Sequence, residues 1–200
     1  METELAGRLG ADALGEAGVG RIRAFFGLPL PDEHRGALEP FLSACSLVAP
    51  EFRWTPASNL HLTVRFLGHV ALPVAEAIAV RLEEANLAGF DLGLGEVGAF
   101  KRGRLARVVW LGLRAGGDQV GSLATTVEAE SVRAGLEPES RSFNAHLTLA
   151  RARAREGAAL PNLPQAPELA SWRADELVLY RSRLGKGGSV YEPLRRIRLS

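Results

Sequence analysis

A short pattern occurs twice in this chain, and the interval between its copies constrains the fold more than any other feature. Asn59-Leu60-His61-Leu62-Thr63-Val64-Arg65-Phe66-Leu67-Gly68 has the period of a β-strand, with Leu62, Val64 and Phe66 on one side and His61, Thr63 and Arg65 on the other. Phe143-Asn144-Ala145-His146-Leu147-Thr148-Leu149-Ala150-Arg151 repeats it, with His146 and Thr148 sharing a face. The two histidines lie 85 positions apart. The same offset aligns Arg21-Ile22-Arg23-Ala24-Phe25-Phe26-Gly27-Leu28 with Ala106-Arg107-Val108-Val109-Trp110-Leu111-Gly112-Leu113, so each glycine precedes its histidine by 34 residues. A repeat on this scale points to two similar halves.

Each half reads strand, helix, His-x-Thr strand. Asp32 is placed to cap a helix from Glu33 to about Val48, which Pro40 should kink or break. Asp118 to about Ala134 has helical composition, and Gly135 supplies a stop. A further helix is predicted over 74–87, from apolar residues at Val74, Ala77, Ile78 and Leu82. Strands are predicted at 90–100, 176–183 and 190–199, the last two joined by the turn Gly185-Lys186-Gly187-Gly188. Strands and helices without regular βαβ alternation predict an α+β fold. It would have two pseudo-symmetric lobes, each a mainly antiparallel sheet with helices outside, and a central cleft. The expected organisation is an extension over 1–20, flexible or weakly helical, then one bilobal domain over 21–200, with pseudo-repeats at about 21–68 and 106–151.

The net charge of +1 argues against an extended surface for polyanions, so nucleic acid would be met at a local basic site. Lys101 and Lys186 are the only lysines; the other cations are arginine, which suits fork-like phosphate contacts. The single cysteine, Cys45, excludes an internal disulfide and reads as a small core residue. No apolar run reaches membrane-span length and no signal pattern opens the chain, so a cytoplasmic protein is expected.

One His-x-Thr strand is an ordinary half-exposed strand; two brought together are a reaction centre. Residues i and i+2 share a face about 6.5–7 Å apart, so each pair can reach one small anion. One imidazole can serve as base and the other as acid near neutral pH, while the hydroxyls hold non-bridging oxygens. The natural chemistry is phosphodiester cleavage without a metal, and no His-carboxylate signature near His61 or His146 supplies metal ligands.

These motifs, with Arg107-Val108-Val109-Trp110-Leu111-Gly112, Leu179-Tyr180-Arg181-Ser182 and Tyr191-Glu192-Pro193-Leu194, resemble the RNA 2′,3′-cyclic phosphodiesterases, or 2′-5′ RNA ligases, of the two-histidine phosphoesterase superfamily. The likeness runs from Arg21 to Ser200. It implies His61 as general acid to the leaving 3′ oxygen, His146 as general base to water, and Thr63 and Thr148 as phosphate holders. It also implies substrate contacts from Arg151, Phe66 and Tyr191, no cofactor or metal, and a monomer acting on cyclic-phosphate RNA ends or cyclic nucleotides. The alternative is a non-catalytic RNA-end or nucleotide-binding module on the same fold. Strict alternation turns Phe66 and Arg151 away from their histidines. The family often has His-Pro before the second histidine where this chain has Asn144-Ala145, which bears on that strand's rigidity.

Other motifs carry less. Gly93-Leu94-Gly95-Glu96-Val97-Gly98 matches a dinucleotide-binding expression but precedes a strand rather than a helix, so it reads as strand irregularity. Arg153 and Arg155 read as a solvated edge, and His34 and His69 as surface residues.

Overall fold

The computed structural model describes residues 20–185 and 188–200. The expected N-terminal extension and the middle of the turn at Lys186 lie outside the described residues. The elements in chain order are β1 (Arg21–Pro29), α1 (Asp32–Val48), β2 (Phe52–Trp54), a 3-10 turn (Ala57–Asn59), β3 (His61–Ala71), α2 (Leu72–Glu84), β4 (Phe90–Arg102), β5 (Leu105–Ala115), α3 (Gly117–Arg133), β6 (Leu147–Ala152), β7 (Trp172–Ala174), β8 (Glu176–Gly185) and β9 (Gly188–Arg198).

Eight of the nine described strands form one path, β7-β4-β5-β6-β3-β1-β8-β9, β2 pairs with β6 off that path, and every pairing is antiparallel. It is an α+β fold of two half-sheets. β3, β1, β8 and β9 make one; β7, β4, β5, β6 and β2 make the other. They meet at a single cross-strand pair, Leu62 with Leu147. Both leucines are fully buried on the face that the helices cover, where one apolar core runs through both half-sheets.

The helices α1 and α3 each have 17 residues and start 85 positions apart. α3 ends as composition predicts: Gly135 adopts φ +87°, its N–H donates to the Val132 carbonyl, and Leu136 N–H donates to that of Ser131. α1 departs from expectation twice. Pro31 occupies the cap position, Asp32 lies inside the first turn, and no side chain caps the helix. The helix also runs unbroken through Pro40. Pro40 and Gly36, the residue whose carbonyl loses its partner, both face solvent, so water can take the vacant acceptor. Leu38, Phe41, Leu42 and Cys45 anchor the other side of the helix in the core. Burial there pushes the Cys45 thiol up to about 11, which leaves it an inert core residue.

α2 begins earlier than apolar spacing indicates because Pro73 is accommodated in its first turn. The glycine-rich stretch of β4 is an irregular strand, as its context predicted, with register shifts at Gly93, Leu94 and Val97. A Cβ at Gly98 would come within 2.2 Å of the Trp110 ring, so this glycine makes room for an indole. His34, expected at the surface, is instead 2 % exposed. Its Nε2 pairs with the Ala170 carbonyl at 2.9 Å and its ring packs on Trp172 at 4.8 Å, because the long segment before β7 folds back over α1. His69 is exposed.

Candidate active site

The Leu62–Leu147 pair centres a local twofold relation. With these leucines opposite each other in antiparallel register, His61 falls across from Thr148 and Thr63 across from His146. Alternation places the leucines in the core and all four polar residues on the opposite, helix-free face. The four are half-buried.

Each imidazole is held the same way. The Nδ1 of His61 lies 2.8 Å from the Asn59 carbonyl, and that of His146 lies 2.7 Å from the Asn144 carbonyl. A carbonyl only accepts, so each Nδ1 carries the proton and each Nε2 is left for chemistry. Asn59 ends the 3-10 turn and is pinned by its own side chain, whose Nδ2 donates to the Ser189 carbonyl at 2.6 Å. Replacing His-Pro by Asn144-Ala145 thus leaves the backbone acceptor for His146 in place. The His61 Nε2 reaches the Thr63 hydroxyl at 3.1 Å.

The walls differ. Phe25 stacks near His61 at 4.7 Å, Tyr191 meets that ring edge-on at 5.0 Å, and Tyr180 packs on Phe25 at 5.1 Å. Gly27 makes the fit possible, since a Cβ there would sit 3.3 Å from His61 Cδ2 and 3.0 Å from the Leu62 carbonyl oxygen. On the other side Phe100 meets His146 edge-on at 4.9 Å, with Trp110 behind at 6.4 Å. Phe25 and Trp110 are 85 positions apart, an equivalence visible in the aligned sequences but not in either strand alone.

Burial is the main cause that lowers the His61 pKa, to about 4, with Arg151 and His146 adding to it against the Asn59 carbonyl. His146 is also lowered, by burial and then by Arg151, against the Asn144 carbonyl. Both rings are neutral near pH 7 in the free protein.

Strict alternation fails for Phe66 and Arg151, for the same reason. On β3, Gly27 pairs with Thr63 and Phe26 with Arg65, which leaves Val64 as an extra residue. On β6, Trp110 pairs with Thr148 and Val109 with Ala150, which leaves Leu149 as the extra one. A bulge reverses the parity of everything beyond it. Phe66 is therefore 5.7 Å from Phe25 on the histidine face, 42 % exposed, and Arg151 turns to the side where it acts on both histidines. Val64 and Leu149 are again 85 positions apart.

The same bulge turns Arg65 from the polar face into a tie between the halves. Its side chain is 10 % exposed, pairs with Glu128 of α3, donates to the Glu137 carbonyl at 2.8 Å and lies 3.9 Å from Glu139. It thereby fixes the segment leading to His146. The Arg53 and Arg23 charges also bear on Arg151. Nothing in one strand's pattern marks these arginines. Arg153 donates to the Pro50 carbonyl, and Arg155 is exposed beyond the end of β6. Among the described residues no group of three or more His, Cys, Asp or Glu is placed to hold a metal ion, and no helix is long and apolar enough to cross a membrane.

Two antiparallel half-sheets joined at paired His-x-Thr strands define a two-histidine α+β fold. The chain belongs to the 2′-5′ RNA ligase superfamily, whose sequence model matches residues 31–186. It is 32 % identical over 174 residues to the RNA 2′,3′-cyclic phosphodiesterase of Escherichia coli, covering 87 % of this chain and 94 % of that one. It is 35 % identical over 140 residues to the protein of the same name from Aeropyrum pernix, covering 68 % and 80 %. The crystal structure of E. coli LigT complexed with 3′-AMP superposes with a TM-score of 0.78 at 29 % identity, over 90 % of this chain and 99 % of that one.

Proposed function

We propose that this protein is an RNA 2′,3′-cyclic phosphodiesterase that opens the cyclic phosphate to a 2′-phosphate by paired-histidine acid–base catalysis. The observation that carries the reading is the Leu62–Leu147 pair, which centres two His-x-Thr motifs on one face. The curated relatives' name and the nucleotide bound to LigT support the substrate class.

In this mechanism His146 Nε2 takes a proton from water as its oxygen attacks phosphorus. The bond to the 3′ oxygen breaks, and His61 Nε2 supplies the proton to that oxygen. Thr63 and Thr148 donate hydrogen bonds to the non-bridging oxygens, and Arg151 offsets their charge. Phe66 and Tyr191 line the substrate side. His61 is neutral in the free protein near pH 7, so the anionic substrate must raise its pKa before it can act as acid; a ring with a low intrinsic pKa then donates readily. With a ribose 5′-hydroxyl in place of water as the nucleophile, the same displacement of the 3′ oxygen joins the ends through a 2′-5′ linkage. The described residues behave in this reading as one bilobal unit, a duplication supported by the equal helices α1 and α3.

The test is turnover of a nucleoside 2′,3′-cyclic phosphate in excess EDTA, beside His61→Ala and His146→Ala. A 2′-phosphate product is expected from the wild type, with a loss of about a hundredfold or more in either variant. Turnover that vanishes with EDTA, or persists in both variants, would overturn the mechanism. Binding without turnover by the wild type would identify a binding module instead.

A further inference from the structure

Arg53 and Arg151 stand directly opposite each other on β2 and β6. Like charges in that position destabilise a sheet, with side chains starting about 5 Å apart. The neighbours of Arg53 show which way it points: Phe52 is buried and Trp54 packs against the core, so Arg53 projects from the histidine face. Arg23 arrives on the same face from the other half-sheet. It pairs with Ser182, which pairs with Tyr191, and it lies two residues before Phe25 on β1. Burial is the main cause that lowers the Arg151 pKa, and the charges of Arg53 and Arg23 add to it against Tyr191.

Exposed arginines are usually just solvated. Here the placement matters. Exposed arginines outside any ion pair occur elsewhere too, Arg102, Arg104, Arg173 and Arg198 among them, so it is the shared face and the direct opposition of two of them that mark this group. None of the ion pairs among the described residues involves Arg23, Arg53 or Arg151. Arg53 and Arg151 thus oppose each other, and Arg23 shares their face, with no carboxylate paired to any of the three.

We propose that Arg53 and Arg23, flanking Arg151, form a second anion subsite that takes the phosphodiester next to the reacting end of an RNA strand. The subsite rests on the cyclic-phosphate reading of the adjacent centre, and it makes an RNA end, rather than a free cyclic nucleotide, the preferred substrate. Arginine suits it, because a planar fork grips two phosphate oxygens at once.

The experiment measures kcat/KM for a tetraribonucleotide ending in a 2′,3′-cyclic phosphate and for the cyclic mononucleotide, and takes their ratio. The proteins are wild type, Arg53→Gln, Arg23→Gln and the double variant. A third substrate replaces the linkage next to the reacting end by an uncharged methylphosphonate. The ratio should fall about tenfold in the double variant, and the neutral linkage should lower it similarly in the wild type. The salt slope for the tetranucleotide should shrink by about 0.7 for each phosphate that an arginine no longer neutralises. A ratio that is the same in all four proteins, or is insensitive to the neutral linkage, overturns the subsite. Mononucleotide turnover by the wild type tests the cyclic-phosphate reading separately. If that turnover is absent, anisotropy of the labelled 3′-phosphate tetranucleotide, charged against neutral linkage, decides the subsite: equal affinities refute it, and a weaker neutral strand upholds it.

Discussion

An imidazole whose Nδ1 is held by a backbone carbonyl has one nitrogen left, which defines the atom of His61 and of His146 that can move a proton. Both rings are depressed by burial and by Arg151, so the bell-shaped pH profile of kcat/KM, which reports free-enzyme groups, should centre below pH 6.5. The profile of kcat should lie higher, because a bound phosphate raises both values. Arg151→Gln removes a cation acting on both rings, and should move the kcat/KM profile toward higher pH while weakening substrate binding; an unmoved profile would refute that coupling. Gly27 offers a steric test. A valine there meets the Leu62 carbonyl and the His61 ring, and kcat should fall by about tenfold or more as the imidazole leaves its place. The two His-x-Thr motifs were legible from residue identity and spacing. The carbonyl acceptors of Asn59 and Asn144 were not, because a backbone group has no letter of its own.

At the scale of elements, two bulges separate what alternation predicts from what the strands do. Period-two reading puts Phe66 and Arg151 on the core side and Arg65 on the polar side, and it fails for each. Val64 and Leu149 are ordinary β-branched and aliphatic strand residues, and only their pairing to β1 and β5 makes them extra. Arg65, turned inward, ties β3 to α3 and to the 137–139 segment. Arg65→Met should cost about 2 kcal/mol in urea unfolding by leaving Glu128 without its cation, and should speed amide exchange over 136–146. Loss of stability without faster exchange there would argue against the tie. Gly98→Ala should destabilise by about 1–3 kcal/mol, because its methyl occupies the space of the Trp110 ring. In the same way Pro40 reads locally as a helix breaker, yet Leu38, Phe41, Leu42 and Cys45 hold α1 together around it.

For the whole molecule, burying His61 links stability to pH. Its pKa falls from an ordinary 6.5 in the unfolded chain to about 4 in the fold, so between those values only the unfolded chain takes the proton. The contribution is fully present above about pH 6.5 and is lost as pH falls toward 4. His61→Phe should flatten the stability curve across that window in chemical denaturation; an unchanged slope would show that burial is not what lowers the ring. The repeat, the α+β class and the paired His-x-Thr motifs can be read from the letters alone, because these follow from periodicity and residue chemistry along one strand at a time. It takes strand pairing to show that the motifs share a dyad at Leu62 and Leu147, that Arg53 faces Arg151, and that Phe66 and Arg151 join their histidines. Register and bulges are properties of strand pairs, and a single strand's pattern does not contain its partner.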